Sequence, residues 1–251
     1  SSGVCPEYRE YPRTSTAVVN AVLVPRVAPY LARLETRLAD LGLSAPLHLM
    51  TSSGGIMTSD TAKRLPVHLV ESGPAAGVIG AAFVAESYSD TTIGRRILAL
   101  DIGGTTAKAA LVQDGTPALA EEFEVGAAMV PHSTAARGQG YPVKLPVVSL
   151  VEIGAGGGSI AAIDPGGALA VGPRSAGAVP GRVCYGQGGS EPTITDANLV
   201  LGRLNPDHFL GGALKIQAEA ARAAIAERVA GPLGLDVEAA ARMIIEIANA
   251  K

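Results

Sequence analysis

Apolar and polar positions follow several different periods along this chain, and the changes of period mark the expected elements. After an irregular start over 1–14, Ser15 and Thr16 suit a helix N-cap, and the stretch they open is expected to end at Pro25. A second run sets Val27, Leu31, Leu34, Leu38 and Leu41 at helical spacing and stops at Gly42, a favourable C-cap residue. Residues 47–50 read as a short buried strand ended by the turn Ser52-Ser53-Gly54-Gly55, and a short helix is expected from Asp60 to Pro66. Ser72 or Gly73 then caps a helix over 74–85, with Pro74 in its first turn. Gly77, Gly80 and Ala81 share one face of that helix. A helical glycine costs up to about 1 kcal/mol against alanine, so two of them predict that something approaches this helix closely.

The pattern then becomes strand-like. Segments 97–102 and 107–112 are apolar strands joined by the turn in Asp101-Ile102-Gly103-Gly104-Thr105-Thr106. Asp114-Gly115 leads into a third strand over 118–125, so a β-meander is expected. A loop over 126–142 precedes a strand over 143–153 that runs into a second glycine cluster, Gly154-Ala155-Gly156-Gly157-Gly158-Ser159. Residues 160–163 and 168–171 form a hairpin across Asp164-Pro165-Gly166-Gly167. The Gly-, Pro- and Ser-rich stretch 172–192 is long for a structureless loop, which points to a functional or partner-facing role. Helices follow over 195–204, over 213–230 and from Asp236 onward. The last is still periodic through Ala248, which leads us to expect that the polypeptide continues.

Composition narrows the class. With 47% hydrophobic and 17% charged residues over 251 positions, a large core is available and disorder is excluded. Net charge is −3, and no basic stripe exists beyond pairs such as Lys63-Arg64, so nucleic acid is not an expected partner. Cys5 and Cys184 are too few for a disulfide framework or a zinc site, and no two histidines sit at ligand spacing. No apolar run approaches the roughly 20 residues needed to span a bilayer, and no secretory signal is visible. No membrane role and a cytoplasmic location are expected on these grounds.

The chemistry concentrates in 101–106. Gly103 and Gly104 let backbone N–H groups approach an anion, while the Thr105 and Thr106 hydroxyls add donors. Asp101, at the end of a buried strand, suits Mg²⁺, directly or through its waters. The plain alternative is an ordinary Gly-Gly hairpin. No Walker G-x-x-x-x-G-K-[ST] pattern and no G-x-G-x-x-G opening a helix is present. A glycine-bearing helix followed by an Asp-x-Gly-Gly-Thr hairpin resembles the actin, sugar-kinase and heat-shock-chaperone ATPases. That likeness implies an α/β core, one lobe largely present, with a mixed sheet, a β-meander and flanking helices.

The resemblance becomes more specific over the whole chain. Met50-Thr51-Ser52-Ser53-Gly54-Gly55-Ile56-Met57, Ser72-Gly73-Pro74-Ala75-Ala76-Gly77-Val78 and the 101–106 segment occur in the order of the hydantoinase A / 5-oxoprolinase family. Gly154 to Ile160, Gly172-Pro173-Arg174-Ser175-Ala176-Gly177-Ala178, Cys184-Tyr185-Gly186-Gln187-Gly188-Gly189 and Pro192 to Asn198 continue the match, and the opening Pro6-Glu7-Tyr8-Arg9-Glu10-Tyr11 is similar too.

The resemblance implies a central part of a hydantoinase A-type subunit, with about half of a nucleotide cleft. Its expected parts are inter-lobe helices and strand over 1–92, a phosphate-hairpin sheet over 93–171, and a loop and helical region over 172–251. It implies ATP-dependent opening of a cyclic amide such as hydantoin, N-methylhydantoin or 5-oxoproline, and a hydantoinase B-type partner. A ketone carboxylase subunit and a nucleotide-switch module are the alternatives.

On this reading Asp101 and Thr105 are catalytic, Asp101 holds the metal, and Gly103, Gly104, Thr105, Thr106, Lys108, Gly73 and Gly77 bind the nucleotide. Lys108 departs from the acidic residue of many relatives; it either reaches a phosphate or lies solvated on an outer strand face. Gly156, Gly157, Gly158 and Ser159 form either an anion or substrate loop or a sharp packing connection. Asp196 either contacts substrate or caps a helix. Ser52 and Ser53 either face a cleft or serve a turn.

Overall fold

The computed structural model describes residues 1–87, 96–126 and 140–251. The chain forms two compact units that interleave in sequence: residues 1–101 with 108–151, and 102–107 with 152–251. The expected loop over 126–142 falls mostly outside the described residues.

The first unit opens with α1 (Glu10–Asp40), a single helix that runs through both Pro25 and Pro29. The expected break at Pro25 is therefore corrected. Proline removes an N–H donor and leaves the carbonyl four residues earlier without its helical partner. Those carbonyls belong to Ala21 and Pro25, both exposed residues, where an unpartnered carbonyl costs little because solvent is at hand. By length and composition α1 is also long and apolar enough to cross a bilayer, which the broken-helix reading did not anticipate. Its inner face is tied to the unit by polar bonds. Thr16 Oγ1 accepts from the Lys144 N–H at 2.9 Å, and Asn20 bridges the Arg64 carbonyl and the Val67 N–H at 3.0 and 3.2 Å.

Short antiparallel β1 (His48–Met50) and β2 (Ile56–Thr58) follow. The turn between them is latched by Ser52, whose buried hydroxyl donates to the carbonyls of His68 and Val70. Thr58 caps α2 (Ser59–Arg64). Helix α3 (Ser72–Glu86) packs Ala75, Val78 and Ala82 against the hairpin of β3 (Arg96–Ile102) and β4 (Ala107–Gln113), where Ala99, Ala110 and Val112 complete the cluster. Leu98, Leu100 and Leu111 alternate onto the opposite face and are exposed.

The expected meander forms in short form: β3 and β4 are neighbours in one sheet, and the chain turns at Asp114-Gly115 into a third strand that pairs antiparallel with β4. That strand is β5 (Thr116–Pro117), while the expected strand over 118–125 is divided into β6 (Leu119–Ala120) and β7 (Phe123–Val125), and the expected strand over 143–153 into β8 (Tyr141–Val143), β9 (Val147–Val148) and β10 (Val151–Ile153). β5 pairs with β4, β6 with β9 and β7 with β8, all antiparallel.

The second unit builds its core between one hairpin and four helices. β11 (Ser159–Ile163) and β12 (Leu169–Ser175) pair across a turn in which Asp164 Oδ1 accepts from the Gly166 and Ala168 N–H groups at 2.8 and 3.0 Å. Helices α4 (Ile194–Val200), α5 (Ala218–Ile225), α6 (Gly231–Leu233) and α7 (Val237–Asn249) follow, with a π-helical turn, Ala226–Ala230, carrying α5 into α6. Ala161, Val171, Ala197, Ile225, Val229, Ala241 and Ile244 make one buried cluster. Asp236 caps α7 through the Ala239 N–H at 2.6 Å, as its position before the apolar run predicts.

Asp196 is fully buried, with every close bond internal. Its carboxylate accepts from the Cys184 N–H at 2.8 Å, the Thr193 N–H at 2.9 Å and the Thr193 hydroxyl at 2.7 Å, closing a capping box at the start of α4. Of its two readings, the helix cap is the one the geometry realises. Asp196→Ala would leave buried donors at Cys184 and Thr193 unpaired, costing about 3 kcal/mol, a fall in Tm of roughly 6–12 °C by calorimetry. A change under about 2 °C would show that the cap bears little of the fold.

Candidate functional site

The 101–106 segment is the link between β3 and β4. The Gly103 N–H donates to the Thr106 carbonyl at 2.9 Å, which closes a two-residue loop over Gly104 and Thr105. Strands of equal length on either side then set Asp101 opposite Lys108. By alternation both lie on the face that carries Ala99 and Ala110, the face α3 covers. Lys108 is largely buried there and pairs with the Glu71 carboxylate at the start of α3. Neither reading of Lys108 from sequence, phosphate contact or solvated outer face, describes that pairing. Asp101 stays exposed at the same end.

The tip itself packs within the second unit. The glycine cluster 154–159 runs alongside it, and the N–H groups of Gly157 and Gly158 donate to the carbonyls of Gly103 and Gly104 at 3.0 and 2.6 Å. A Cβ at Gly156 would lie 2.7 Å from the Thr105 carbonyl carbon, and one at Gly158 would lie 2.8 Å from the Gly104 oxygen. Only glycine permits this approach of two backbones. The remaining donors of the cluster are also engaged: the Gly156 N–H donates to Ser159 Oγ at 2.9 Å, and the Ser159 N–H to the Gly156 carbonyl at 2.9 Å. Thr195 closes the far side, its N–H and hydroxyl both donating to the Gly157 carbonyl at 2.9 and 2.7 Å. The four N–H groups from Gly156 to Ser159 are thus engaged, those of Gly157 and Gly158 by the tip and those of Gly156 and Ser159 by each other, which is the geometry of a packing connection.

This arrangement leaves the tip's own donors open. Among the described residues, the N–H groups of Gly104, Thr105 and Thr106 meet no acceptor. Gly103, Gly104 and Thr105 are exposed. Thr105 Oγ1 and Ser175 Oγ face each other at 3.5 Å, the limit of a hydrogen bond, so both hydroxyls remain available. Three successive N–H groups on a tight turn, with two hydroxyls beside them, give the tip a cluster of open donors.

Sequence reasoning did not single out Arg182. It sits in the 172–192 stretch, which is pinned to the glycine cluster by the Ala176 N–H donating to the Gly158 carbonyl at 2.8 Å. Its guanidinium lies over Gly104, where an added Cβ would be 2.6 Å from Nη2, and beside Gly158, where the same distance is 3.3 Å. The only sequence signal was the loop's unusual length.

On α3, Gly73, Gly77 and Gly80 are exposed, and none has a described neighbour within 4 Å of an added Cβ. The close approach expected at Gly77 and Gly80 is not made by any described residue. The two cysteines are free and buried, and burial pushes the Cys184 thiol well above its usual range, so it is a poor nucleophile.

Residues 13–251 match the hydantoinase/oxoprolinase family model. The chain belongs to that family. It is 46% identical over 97% of its length to an uncharacterized protein of Methanocaldococcus jannaschii, covering 35% of that protein. It is 38% identical over 98% of its length to the caprolactamase subunit alpha of Pseudomonas jessenii, covering 33% of it. The nucleotide-free structure of acetone carboxylase superposes with a TM-score of 0.80 at 32% identity, over 99% of this chain and 32% of that one. The chain thus spans about a third of the length of these two relatives. Its mixed α/β architecture of small sheets and flanking helices is the one shared with these neighbours.

Gly156→Ala and Gly158→Ala test the geometry of the tip. Each is expected to cost about 1–3 kcal/mol through overpacking, and to raise amide hydrogen exchange at 103–106. Unchanged exchange there would mean that the glycine cluster does not support the tip.

Proposed function

We propose that this chain is the phosphate-binding part of an enzyme that opens a cyclic amide at the expense of ATP. The observation that carries the reading is the exposed turn with open donors at Gly104, Thr105 and Thr106. A phosphate's oxygens match a cluster of fixed N–H and O–H donors, and an uncharged substrate amide does not need one. Support for the chemistry comes from the caprolactamase relative, whose solved structure is described as ATP-dependent, because caprolactam is itself a cyclic amide.

Amide resonance makes a lactam carbonyl a poor electrophile. When bound, ATP supplies the phosphoryl group that activates the amide oxygen, so that water adds to the ring carbon and the C–N bond breaks with net release of ADP and phosphate. The chain's part is positioning and charge neutralisation. Gly104, Thr105 and Thr106 hold phosphate oxygens through N–H groups already fixed by the Gly103 to Thr106 bond, and the Thr105 hydroxyl adds a donor that rotates to suit. Among the described residues no three His, Cys, Asp or Glu side chains gather as a metal cage. That fits Mg²⁺, which prefers one or two carboxylates with phosphate and water, and Asp101 is the exposed carboxylate two residues before Gly103. A partner subunit completes the enzyme on this reading, since the caprolactamase relative is itself named as a subunit. The fit to acetone carboxylase favours a second reading, in which the activated oxygen belongs to a ketone.

Asp101→Asn in the full-length protein tests the role of Asp101, and the substrate dependence of the wild type separates the two readings. It keeps size and one hydrogen-bonding oxygen but loses the charge that holds the cation. Lactam-dependent ADP release is expected to fall about 100- to 1000-fold with Tm unchanged, the equivalent of roughly 3–4 kcal/mol of transition-state stabilisation. Turnover near the wild-type rate would make Asp101 structural. A wild-type protein that releases ADP with ketone and bicarbonate, and not with any of caprolactam, hydantoin or 5-oxoproline, would put the carboxylase reading first.

A further inference from the structure

Arg182 is a cation placed beside donors that have no anion to serve. Its guanidinium rests on the Tyr185 ring, 5.2 Å from the centroid, and Tyr185 in turn packs on Phe209 at 5.7 Å. The stack holds the fork over Gly104 of the tip and over Gly157 and Gly158 of the glycine cluster. An added Cβ would be 2.6, 3.7 and 3.3 Å from Nη2 at Gly104, Gly157 and Gly158 respectively. The hydrogen bonds around it are few. Nη1 reaches the Gly177 carbonyl only at 3.5 Å, Nε is buried with no partner, and Nη2 has no acceptor among the described residues. No carboxylate among the described residues pairs with this arginine, although Arg174, Arg222 and Lys63 all have one.

A guanidinium held in place by a ring, short of acceptors and adjacent to open N–H groups, is arranged for an oxyanion. The alternative is that Arg182 only fills the space three missing side chains leave. That role does not account for a charged fork, since an aliphatic chain fills the same space without a desolvated charge.

We propose that Arg182 completes the phosphate site at the hairpin tip and binds the terminal phosphoryl group of the nucleotide together with the Gly104 to Thr106 donors and the Ser175 hydroxyl. The inference rests on the reading of the tip as a phosphate site. It adds a residue outside the Asp-x-Gly-Gly-Thr segment, and it gives the 172–192 stretch a task.

Calorimetric titration of the full-length protein with Mg·ATP and with inorganic pyrophosphate tests it, in wild type, Arg182→Lys and Arg182→Gln. Wild type is expected to bind both. Arg182→Gln should weaken both by about ten- to a hundredfold, and Arg182→Lys should recover part of the loss, since a point charge replaces a fork. The salt dependence of pyrophosphate binding should be shallower in Arg182→Gln. Equal affinities in all three proteins would overturn the role of Arg182 and leave the tip reading intact. No binding by wild type would overturn the tip reading, and this inference with it. A measurement on wild type alone guards against misfolded variants: ATP should protect Arg182 from phenylglyoxal, read by peptide mass spectrometry. Modification at the same rate with and without ATP would also overturn the proposal.

Discussion

Two backbone hydrogen bonds, from Gly157 to Gly103 and from Gly158 to Gly104, set the geometry on which the candidate site depends. They require two main chains to meet with nothing between them, which only missing Cβ atoms permit. Their effect is selective. They engage the carbonyls of the tip and the donors of the glycine cluster, and leave the donors of the tip open. A turn that directs its N–H groups outward while its carbonyls are occupied has a one-sided electrostatic character, and that favours an anion.

The same contact organises the rest of the second unit. Thr195 donates back to Gly157, so the start of α4 is fixed to the glycine cluster, and Thr193 and Asp196 hold that start together. Asp196 also accepts from Cys184, which draws in the 172–192 stretch at the three residues that follow Arg182, a short 3₁₀ turn, Val183–Tyr185. A buried carboxylate is costly to desolvate, and three donors stabilise it here. The chain from Asp196 to Arg182 is thus a sequence of polar bonds that ends with a cation at the tip.

In the first unit the ion pair of Lys108 with Glu71 plays the corresponding part. It joins β4 to the start of α3, where a carboxylate is also favoured by the helix dipole. This places Asp101 on the α3 side of its hairpin without engaging it. The exposed glycine face of α3 and the exposed Leu98, Leu100 and Leu111 of the hairpin are surfaces that the described residues leave uncovered.

The sequence by itself determined the elements whose signals are local. Alternation and a two-residue glycine turn specify the β3–β4 hairpin, Asp236 specifies the start of α7, and Asp164 specifies the β11–β12 turn, because each depends on bonds spanning a few residues. The order of the glycine-rich motifs was enough for the family. Tertiary structure decided what depends on distant partners. Exposure at Ala21 and Pro25 let α1 continue through Pro25 and Pro29, and pairing with distant strands took β6 and β7 away from the hairpin. Lys108 turned toward Glu71, 37 residues away, and Asp196 toward its cap. The glycines of 156–158 look the same in sequence whether they bind an anion or another backbone. Which they do is settled by what stands opposite, and here it is the hairpin tip, with Arg182 brought over it from a loop that local pattern could not place.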